Sequence, residues 1–302
     1  MIVSSAMRKI VVTGAGGFIG SHVCQALFKN KFFITALYKK AIHKKNCLWE
    51  AVESDLLLDS SDDLLATLKP TTIIHCAAVL PKQFYGQDAD KVSKLNRIID
   101  DKVIKYCSLN KCRLIYASSS SVYGLSKGPW DERSVVNPVG PYASAKHETE
   151  KLITHYVFDH IILRFSSPYG PGLKLRTVFK IFMENAMSDR DLQYMGTGKR
   201  QQDFISVKDI ADAFLCILQN SQARGVYNIA SGKAISMKEL AALVIKSIPG
   251  CKSKVVLSGL SDAQENYQAI FDISQASNVL GWTPRISLKD GIVDWFNNWR
   301  QL

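Results

Sequence analysis

Short apolar runs alternate with helical patterns along this chain, and that alternation constrains the fold more than any other feature of the sequence. The runs have the length and composition of buried strands, and the segments between them have the periodicity of helices. Such alternation predicts an α/β fold with a doubly wound parallel sheet covered by helices on both faces. The predicted strands are Lys9 to Thr13, Phe32 to Leu37, Thr71 to Cys76, Arg113 to Ser118 and His160 to Phe165; the predicted helices are about Gly17 to Asn30, about Asp88 to Leu109 and one after Pro141.

The chain has 302 residues, enough for two lobes, and its character changes after Pro168, where glycine and proline cluster. The later elements are shorter and mixed. We therefore predict a Rossmann-like first domain over residues 1–165 with a return segment at about 203–230, and a smaller, partly interleaved lobe over 166–202 and 231–302. The last helix carries three aromatic residues at a spacing that indicates core packing: Trp295, Phe296 and Trp299.

The chain is basic, because 38 Lys and Arg residues against 27 Asp and Glu residues give a formal net charge of +11. Such a balance favours anionic partners, namely nucleic acids, anionic membranes or phosphorylated small molecules, although a solvated basic surface would produce it too. No recognition-helix, zinc or RNA-binding motif supports a nucleic acid. No apolar run reaches the roughly 18 residues that a membrane span needs. We therefore expect neither a nucleic-acid partner nor a membrane partner.

The seven cysteines are odd in number and lack any C-x-x-C spacing, which argues against a disulfide framework and against zinc. The six histidines form no metal-binding motif, so we expect no metal. The first nine residues lack the basic and apolar regions of a signal peptide. Together these observations indicate a reducing compartment, and we predict a cytoplasmic location.

A glycine motif follows the first predicted strand and opens the first predicted helix. Gly14 would allow the tight turn, Gly17 would let the backbone approach a pyrophosphate, and Gly20 would let helix and strand pack closely. The helix that begins at Phe18 and Ile19 would direct its free N–H groups and its dipole toward that anion. Because the motif has the strand–turn–helix context that this mechanism requires, it predicts a dinucleotide site.

The end of the second strand indicates which dinucleotide is bound. An acidic residue there would bind the ribose 2′-hydroxyl of NAD, but this chain has Tyr38 followed by Lys39 and Lys40. Two cations within reach of a 2′-phosphate favour NADP, with NAD as the alternative. The lysines could equally belong to a solvated loop. Asp55 and Leu56 follow a further apolar stretch, at a position suited to the adenine end of the cofactor.

Tyr142 and Lys146 have i,i+4 spacing at the start of the helix after Pro141, which places both side chains on one helix face. A free tyrosine, with a pKa near about 10, is a poor acid–base catalyst at neutral pH, and a neighbouring cation favours its phenolate. The segment Ala117 to Gly124 holds a run of serines at the carboxyl end of a buried strand, where open α/β sheets bind ligands. A serine hydroxyl there could hold a substrate oxygen opposite the tyrosine, or could simply cap the loop.

With these motifs, the chain resembles the extended short-chain dehydrogenase/reductases of the NAD-dependent epimerase/dehydratase group, whose members act on nucleotide sugars. The resemblance extends from Ile10 to about Trp295. It implies an NAD(P)-dependent enzyme with a nucleotide-diphosphate sugar as substrate. The segments that carry it are Thr13 to Gly20, Ile73 to Ala78, Ala117 to Gly124, Pro141 to Lys146, Arg164 to Gly172, Gly196 to Ala213, Tyr227 to Gly232 and Leu280 to Pro284.

The resemblance also implies roles for individual residues. Ser119, three residues before the V-Y-G, matches the catalytic serine or threonine, and Tyr142 and Lys146 match the catalytic pair. In many members the long helix and the Tyr142 helix form a dimer interface, so we expect a homodimer. Further expected cofactor contacts are Ala77, Ala78 and Asn96, the last matching an asparagine that supports the site structurally.

Departures from the family pattern concern the substrate. Gln202 replaces an arginine that contacts the diphosphate in many members, Ser167 replaces an asparagine, and a late R-x-G-D segment is absent. Basic residues nearby could supply the missing charge, and we favour Arg176 first and Arg200 second because arginine meets phosphate with two parallel hydrogen bonds. The expected substrate contacts are thus Ser119, Ser120, Ser167, Arg176, Arg200 and Gln202.

The serine run also limits the reaction. Ser120 and Ser121 stand where the family's 4,6-dehydratases have Asp-Glu, and neither serine can act as the acid or base of an elimination. Ser120 also replaces the cysteine of enzymes that epimerise C3 and C5. We therefore expect an NADP-preferring reductase of a nucleotide-linked 4-keto-6-deoxy sugar. The alternatives are a nucleotide-sugar 4-epimerase with tightly held NAD and a non-catalytic NADP-binding regulator.

Overall fold

A seven-stranded sheet lies at the centre of the first of two compact units. A computed structural model of the chain describes residues 8–40, 48–80, 87–125 and 127–299. The first unit contains the chain up to Gly124, Val136–Arg164 and Phe214–Tyr227, and the second contains Leu125–Val135, Phe165–Ala213 and the chain from Asn228 onward.

The elements follow one another in strand–helix alternation through the first half of the chain. They are β1 (Ile10–Thr13), α1 (Phe18–Lys29), β2 (Ile34–Tyr38), β3 (Glu50–Glu53), α2 (Ser60–Leu68), β4 (Thr72–His75), α3 (Gln87–Asn110), β5 (Arg113–Ser119), a 3₁₀ turn (Ser120–Tyr123), α4 (Pro141–Tyr156) and β6 (His160–Phe165). The second half comprises β7 (Ser167–Tyr169), α5 (Val178–Ala186), β8 (Leu192–Tyr194), β9 (Gln201–Ser206), α6 (Val207–Gln219), β10 (Gly225–Ile229), β11 (Ala234–Ser236), α7 (Met237–Ser247), β12 (Val255–Leu257), α8 (Ser274–Leu280) and α9 (Leu288–Trp299).

The strand order of the central sheet is β10-β6-β5-β4-β1-β2-β3. Strand β1 pairs in parallel with both β2 and β4, so Ile10 lies between Ile34 and Thr72. All four residues of β1 and of β4 are buried, as expected for inner strands of a sheet covered on both faces. The predicted α/β fold with a doubly wound parallel sheet is confirmed. None of the helices in the described ranges is long and apolar enough to span a bilayer.

Local differences from the predicted elements are small and have physical reasons. Strand β2 begins at Ile34 and not at Phe32, and the Phe33 side chain between them is 83% exposed. Strand β3 and helix α2 were not predicted, because β3 has charged ends and only half-buried central residues. In α9, Trp295 and Phe296 are buried as predicted, and Trp299 is half-buried.

The second unit has two small sheets, in the orders β11-β9-β7 and β12-β8. Its boundaries differ from the predicted lobe. Residues 125–135 belong to it, because Trp130 forms a β-bridge with Phe271 and packs against its ring at 5.4 Å between centroids. The segment that returns to the first unit begins at Phe214 and not at about residue 203, because β9 pairs with β7 and β11 in a sheet of the second unit.

Candidate active site

The glycine motif forms a tight turn between β1 and α1. Gly14 has a φ of +67°, and a Cβ there would lie 2.5 Å from the Ala77 nitrogen. A Cβ at Gly20 would overlap the Gly14 carbonyl oxygen, so α1 approaches the turn as closely as glycine allows. The Gly17 N–H donates to the same oxygen at 2.9 Å, and no side chain caps α1, whose first residues are Phe18 and Ile19. This cradle of uncapped backbone N–H groups fits a dinucleotide pyrophosphate.

The residues predicted for the adenosine end lie next to β2. The Trp49 indole N–H donates to the Tyr38 hydroxyl at 3.0 Å. The Lys39 ammonium lies 3.3 Å from the Asp55 carboxylate, so two predicted cofactor residues form an ion pair. The Leu57 N–H and the Lys39 charge lower the pKa of Asp55 against the opposing effect of desolvation. Lys40 is exposed and has no partner in the described part of the chain, and Leu56 is buried.

Ser119 ends β5 and directly precedes the 3₁₀ turn. Its hydroxyl oxygen accepts a hydrogen bond from the Ser121 N–H at 3.2 Å, which caps the turn. The Ser119 O–H has no acceptor among the described residues, so it remains able to donate to a substrate oxygen. Capping and the predicted catalytic role are therefore compatible at this residue. Ser120 is half-buried beside it.

Helix α4 places Tyr142 and Lys146 together, as the i,i+4 spacing predicts. With Ala145, Asn96 and Asp100, both residues line a cavity of about 10 Å³. Lys146 is buried, and its ammonium donates to the Tyr116 hydroxyl at 2.9 Å and to the Ala117 carbonyl at 2.8 Å. An ammonium has three N–H donors, so one remains for a ligand hydroxyl.

A buried hydrogen-bond network continues from Tyr116 into the core, and the sequence analysis missed it. The Tyr116 hydroxyl donates to Asp100 at 3.0 Å, and Asp100 also accepts from Thr149 at 2.8 Å. The His75 Nε2 lies 3.0 Å from the other Asp100 oxygen, and the His75 Nδ1 lies 2.6 Å from the Thr13 hydroxyl. One signal was available: Asp100 lies four residues after Asn96, on the same face of α3.

Asn96 binds the chain that follows β4 through both the oxygen and the nitrogen of its amide. Its side-chain oxygen accepts from the Val79 N–H at 2.7 Å, and its side-chain nitrogen donates to the Val79 carbonyl at 2.9 Å. The residue therefore holds the chain at Val79 beside α3. Ala77 lies against Gly14, and Ala78 is exposed.

The remaining predicted substrate residues belong to the second unit. On neighbouring strands β9 and β7, the Gln202 side chain donates to the Ser167 hydroxyl, so the residues at the two departures from the family pattern contact each other. The Arg200 guanidinium forms an ion pair with Asp262 at 3.3 Å and donates to Gln264 at 2.9 Å. Arg176 is exposed, with no side-chain partner among the described residues.

The basic residues thus divide into two kinds. The charge of Arg200 is already balanced, whereas that of Arg176 is available to a ligand.

Among the residues that the structure describes, no group of three or more His, Cys, Asp or Glu side chains could hold a metal ion.

Comparisons with known proteins agree along nearly the whole chain. The model of the NAD dependent epimerase/dehydratase family matches residues 10–230. A UDP-glucose epimerase of Bacillus subtilis, itself uncharacterized, is 29% identical over 313 residues, covering 95% of this chain and 96% of that protein. A dTDP-4-dehydro-6-deoxyglucose reductase of Escherichia coli is 26% identical over 305 residues, covering 94% and 95%.

Among solved structures, the UDP-glucuronic acid 4-epimerase of Bacillus cereus, in complex with UDP-glucuronic acid and NAD, aligns with a TM-score of 0.85. It is 26% identical, and the alignment covers 97% of this chain and 99% of that one. The family match includes the glycine turn, Ser119, Tyr142 and Lys146. The chain therefore belongs to the NAD dependent epimerase/dehydratase family and is an enzyme of the extended short-chain dehydrogenase/reductase type.

Proposed function

We propose that the chain is a nucleotide-sugar 4-epimerase that uses Ser119, Tyr142 and Lys146 at C4 of the sugar. The observation that carries the proposal is the pairing of Tyr142 with a buried Lys146 that keeps one N–H free. The similarity to a UDP-glucose epimerase and to a UDP-glucuronic acid 4-epimerase supports the choice of reaction. Ser120 and Ser121 argue against a 4,6-dehydratase, because neither can act as the acid or base of an elimination.

In this proposal a dinucleotide held by the Gly14 turn, with a ribose hydroxyl on Lys146, would supply the hydride chemistry, accepting a hydride from C4 and giving one back to the opposite face. Tyr142, as phenolate, removes the proton from the C4 hydroxyl and later returns it to the ketone oxygen. Ser119 donates a hydrogen bond to that oxygen in both steps. Lys146 stabilises the phenolate by its charge, and its free N–H holds a ribose hydroxyl. Atoms and electrons balance over the cycle, because the hydride and the proton both return to the sugar.

The second candidate is the expected reductase of a nucleotide-linked 4-keto-6-deoxy sugar, with the same three residues. It is favoured by the missing carboxylate after β2 and by the similarity to a dTDP-4-dehydro-6-deoxyglucose reductase. NADP preference belongs to this candidate and rests on Lys39 and Lys40. We place it second because Lys39 is paired with Asp55, which leaves Lys40 as the unpaired cation at this position in the described ranges.

One experiment separates the candidates. The purified protein is denatured, and the released dinucleotide is identified by mass spectrometry. The native protein is then incubated with UDP-glucose without added cofactor, and separately with dTDP-4-keto-6-deoxyglucose and NADPH.

A 4-epimer formed without net loss of NAD(P)H supports the epimerase. Oxidation of one NADPH for each keto sugar consumed supports the reductase instead. Cofactor binding without turnover of either sugar contradicts both and leaves the non-catalytic regulator.

We also propose a cytoplasmic homodimer. The described cysteines are all free thiols, which suits a reducing compartment. Helices α3 and α4 carry exposed apolar side chains, among them Ile98, Leu109 and Tyr156, which suits the dimer interface that the family resemblance implies. Light scattering after gel filtration tests this state, and a monomeric mass contradicts it.

A further inference from the structure

A carboxylate that the proposed mechanism does not use lies inside the first unit. Asp100, on α3, is 4% exposed and is held by hydrogen bonds from His75, Tyr116 and Thr149; among the described residues no Lys or Arg forms a direct ion pair with it. A buried charge is costly unless it is compensated. Three hydrogen bonds satisfy the oxygens of Asp100, but they do not neutralise its charge.

The charge that compensates Asp100 is that of Lys146, and the Tyr116 hydroxyl bridges these two side chains. The Tyr116 hydroxyl accepts from the Lys146 ammonium at 2.9 Å and donates to Asp100 at 3.0 Å. Burial and the Asp100 charge raise the pKa of Tyr116 well above its ordinary value, so its hydroxyl stays neutral and the direction of these hydrogen bonds is fixed. Such a chain polarises along its length and couples the two charges through one hydroxyl.

The coupling of Asp100 to Lys146 matters because burial alone disfavours a charged carboxylate and a charged ammonium. Burial would raise the pKa of Asp100, but the His75 hydrogen bond and the Lys146 charge outweigh it, and the pKa is lowered. The Coulomb interaction is mutual, so the Asp100 carboxylate attracts the Lys146 ammonium in turn. A charged Lys146 is what the phenolate of Tyr142 requires.

We propose that Asp100 is a positioning residue for catalysis: a buried counter-ion that acts through Tyr116 to keep Lys146 charged and directed. The proposal deepens the proposed function and rests on it for the catalytic role of Lys146. The charge coupling itself concerns the protein without substrate.

Other titratable groups face this network from the neighbouring strands. On β4, His75 accepts from Thr13 through Nδ1, because the buried Thr13 O–H has no other described acceptor; its Nε2–H is then directed at Asp100. In this assignment the His75 ring donates to Asp100 through Nε2. After β4, desolvation raises the pKa of Cys76 to about 12 against the opposing charge of Lys146, so the thiol adds no negative charge. Asp100 is thus the anion that this network sets against Lys146.

The test measures the charge of Lys146 directly. Lysine labelled with ¹³C at Cε is incorporated, the Lys146 resonance is assigned with Lys146→Arg, and its shift is followed against pH in the protein without substrate. In Asp100→Asn, which keeps size and shape, we expect the ammonium-to-amine ratio of Lys146 at a given alkaline pH to fall at least about tenfold. In parallel, the alkaline limb of kcat should move to lower pH, with little change in KM for the nucleotide sugar.

Thr149→Val is the matched control, because it removes a donor to Asp100 but leaves the charge and Tyr116 in place. It should leave the Lys146 titration unchanged. If Asp100→Asn does not fold, Tyr116→Phe decides, since loss of the joining hydroxyl should move the titration in the same direction by about threefold or more.

An unchanged titration in the folded Asp100→Asn or Tyr116→Phe variant overturns the proposal. So does an equal shift in Thr149→Val, which would indicate a packing effect. If Asp100→Asn shifts the Lys146 titration but the parent protein turns over no sugar, the charge coupling stands and the proposed function is rejected.

Discussion

Replacing Gly14 with alanine tests the tightest contact of the cofactor turn. The new Cβ would lie 2.5 Å from the Ala77 nitrogen and 2.6 Å from its Cα, at a φ of +67°. The left-handed backbone costs an alanine about 1–2 kcal/mol. Displacing the Ala77 backbone adds about 1–3 kcal/mol, the usual range for overpacking. The smaller entropy of the unfolded alanine chain offsets about 0.4–1 kcal/mol. We therefore expect the free energy of unfolding to fall by about 1–5 kcal/mol.

Gly225→Ala is the control, because Gly225 lies in the same compact unit, has a φ of +91° and would meet no atom within 4 Å. Gly225→Ala has the same conformational cost but lacks the close contact. Gly14→Ala should therefore lower the free energy of unfolding by about 1–3 kcal/mol more than Gly225→Ala does. Urea unfolding followed by circular dichroism measures both variants, and calorimetry measures cofactor binding, which should weaken only in Gly14→Ala. Equal losses of stability would refute the close approach of Ala77 as the reason for this glycine.

Four further variants test the site. Tyr142→Phe should lower turnover by about a hundredfold to ten-thousandfold, the contribution of general acid–base catalysis, with little change in the cofactor Kd; near-normal turnover would reject Tyr142 as the acid–base group. If the second candidate, the reductase, is correct, Lys39→Ala/Lys40→Ala should weaken NADP about ten- to a hundredfold more than NAD in titrations of bound cofactor, and equal affinities of the parent protein would contradict NADP preference. Arg176→Ala should raise KM for the sugar nucleotide and leave the cofactor Kd unchanged. Arg200→Ala should chiefly lower stability, because Arg200 is already paired with Asp262. The reverse pattern would exchange the roles of the two arginines.

The fold and the centre of the site could be predicted from the sequence because their signals are local. The turn from β1 to α1 is encoded in eight consecutive residues, Thr13 to Gly20. The shared face of Tyr142 and Lys146 follows from helical spacing alone. Strand β6 has the predicted bounds, because each end of its apolar run is marked by a change in residue character.

The unpredicted features depend on residues that are distant in the sequence. The Gln202–Ser167 hydrogen bond joins residues 35 positions apart, and nothing at either position indicates the other. The ion pair of Lys39 with Asp55 crosses from the end of β2 to the segment after β3, a strand that the sequence analysis did not find. The Asp100 network needs four elements, β4, α3, β5 and α4, in place before its members meet. Side-chain partners of this kind follow from strand order, which periodicity does not specify.

The two hydrogen bonds of Lys146 have a mechanical consequence. Through Tyr116 and the Ala117 carbonyl, the lysine fastens helix α4, which carries Tyr142, to strand β5, which carries Ser119 two residues farther on. Lys146 is therefore a mechanical link as well as a charge. Removing it would loosen the spacing between Tyr142 and Ser119. An added alkylamine could replace the charge in a Lys146→Ala variant but not the covalent link to the helix. We accordingly expect chemical rescue of that variant to restore only a small part of its turnover.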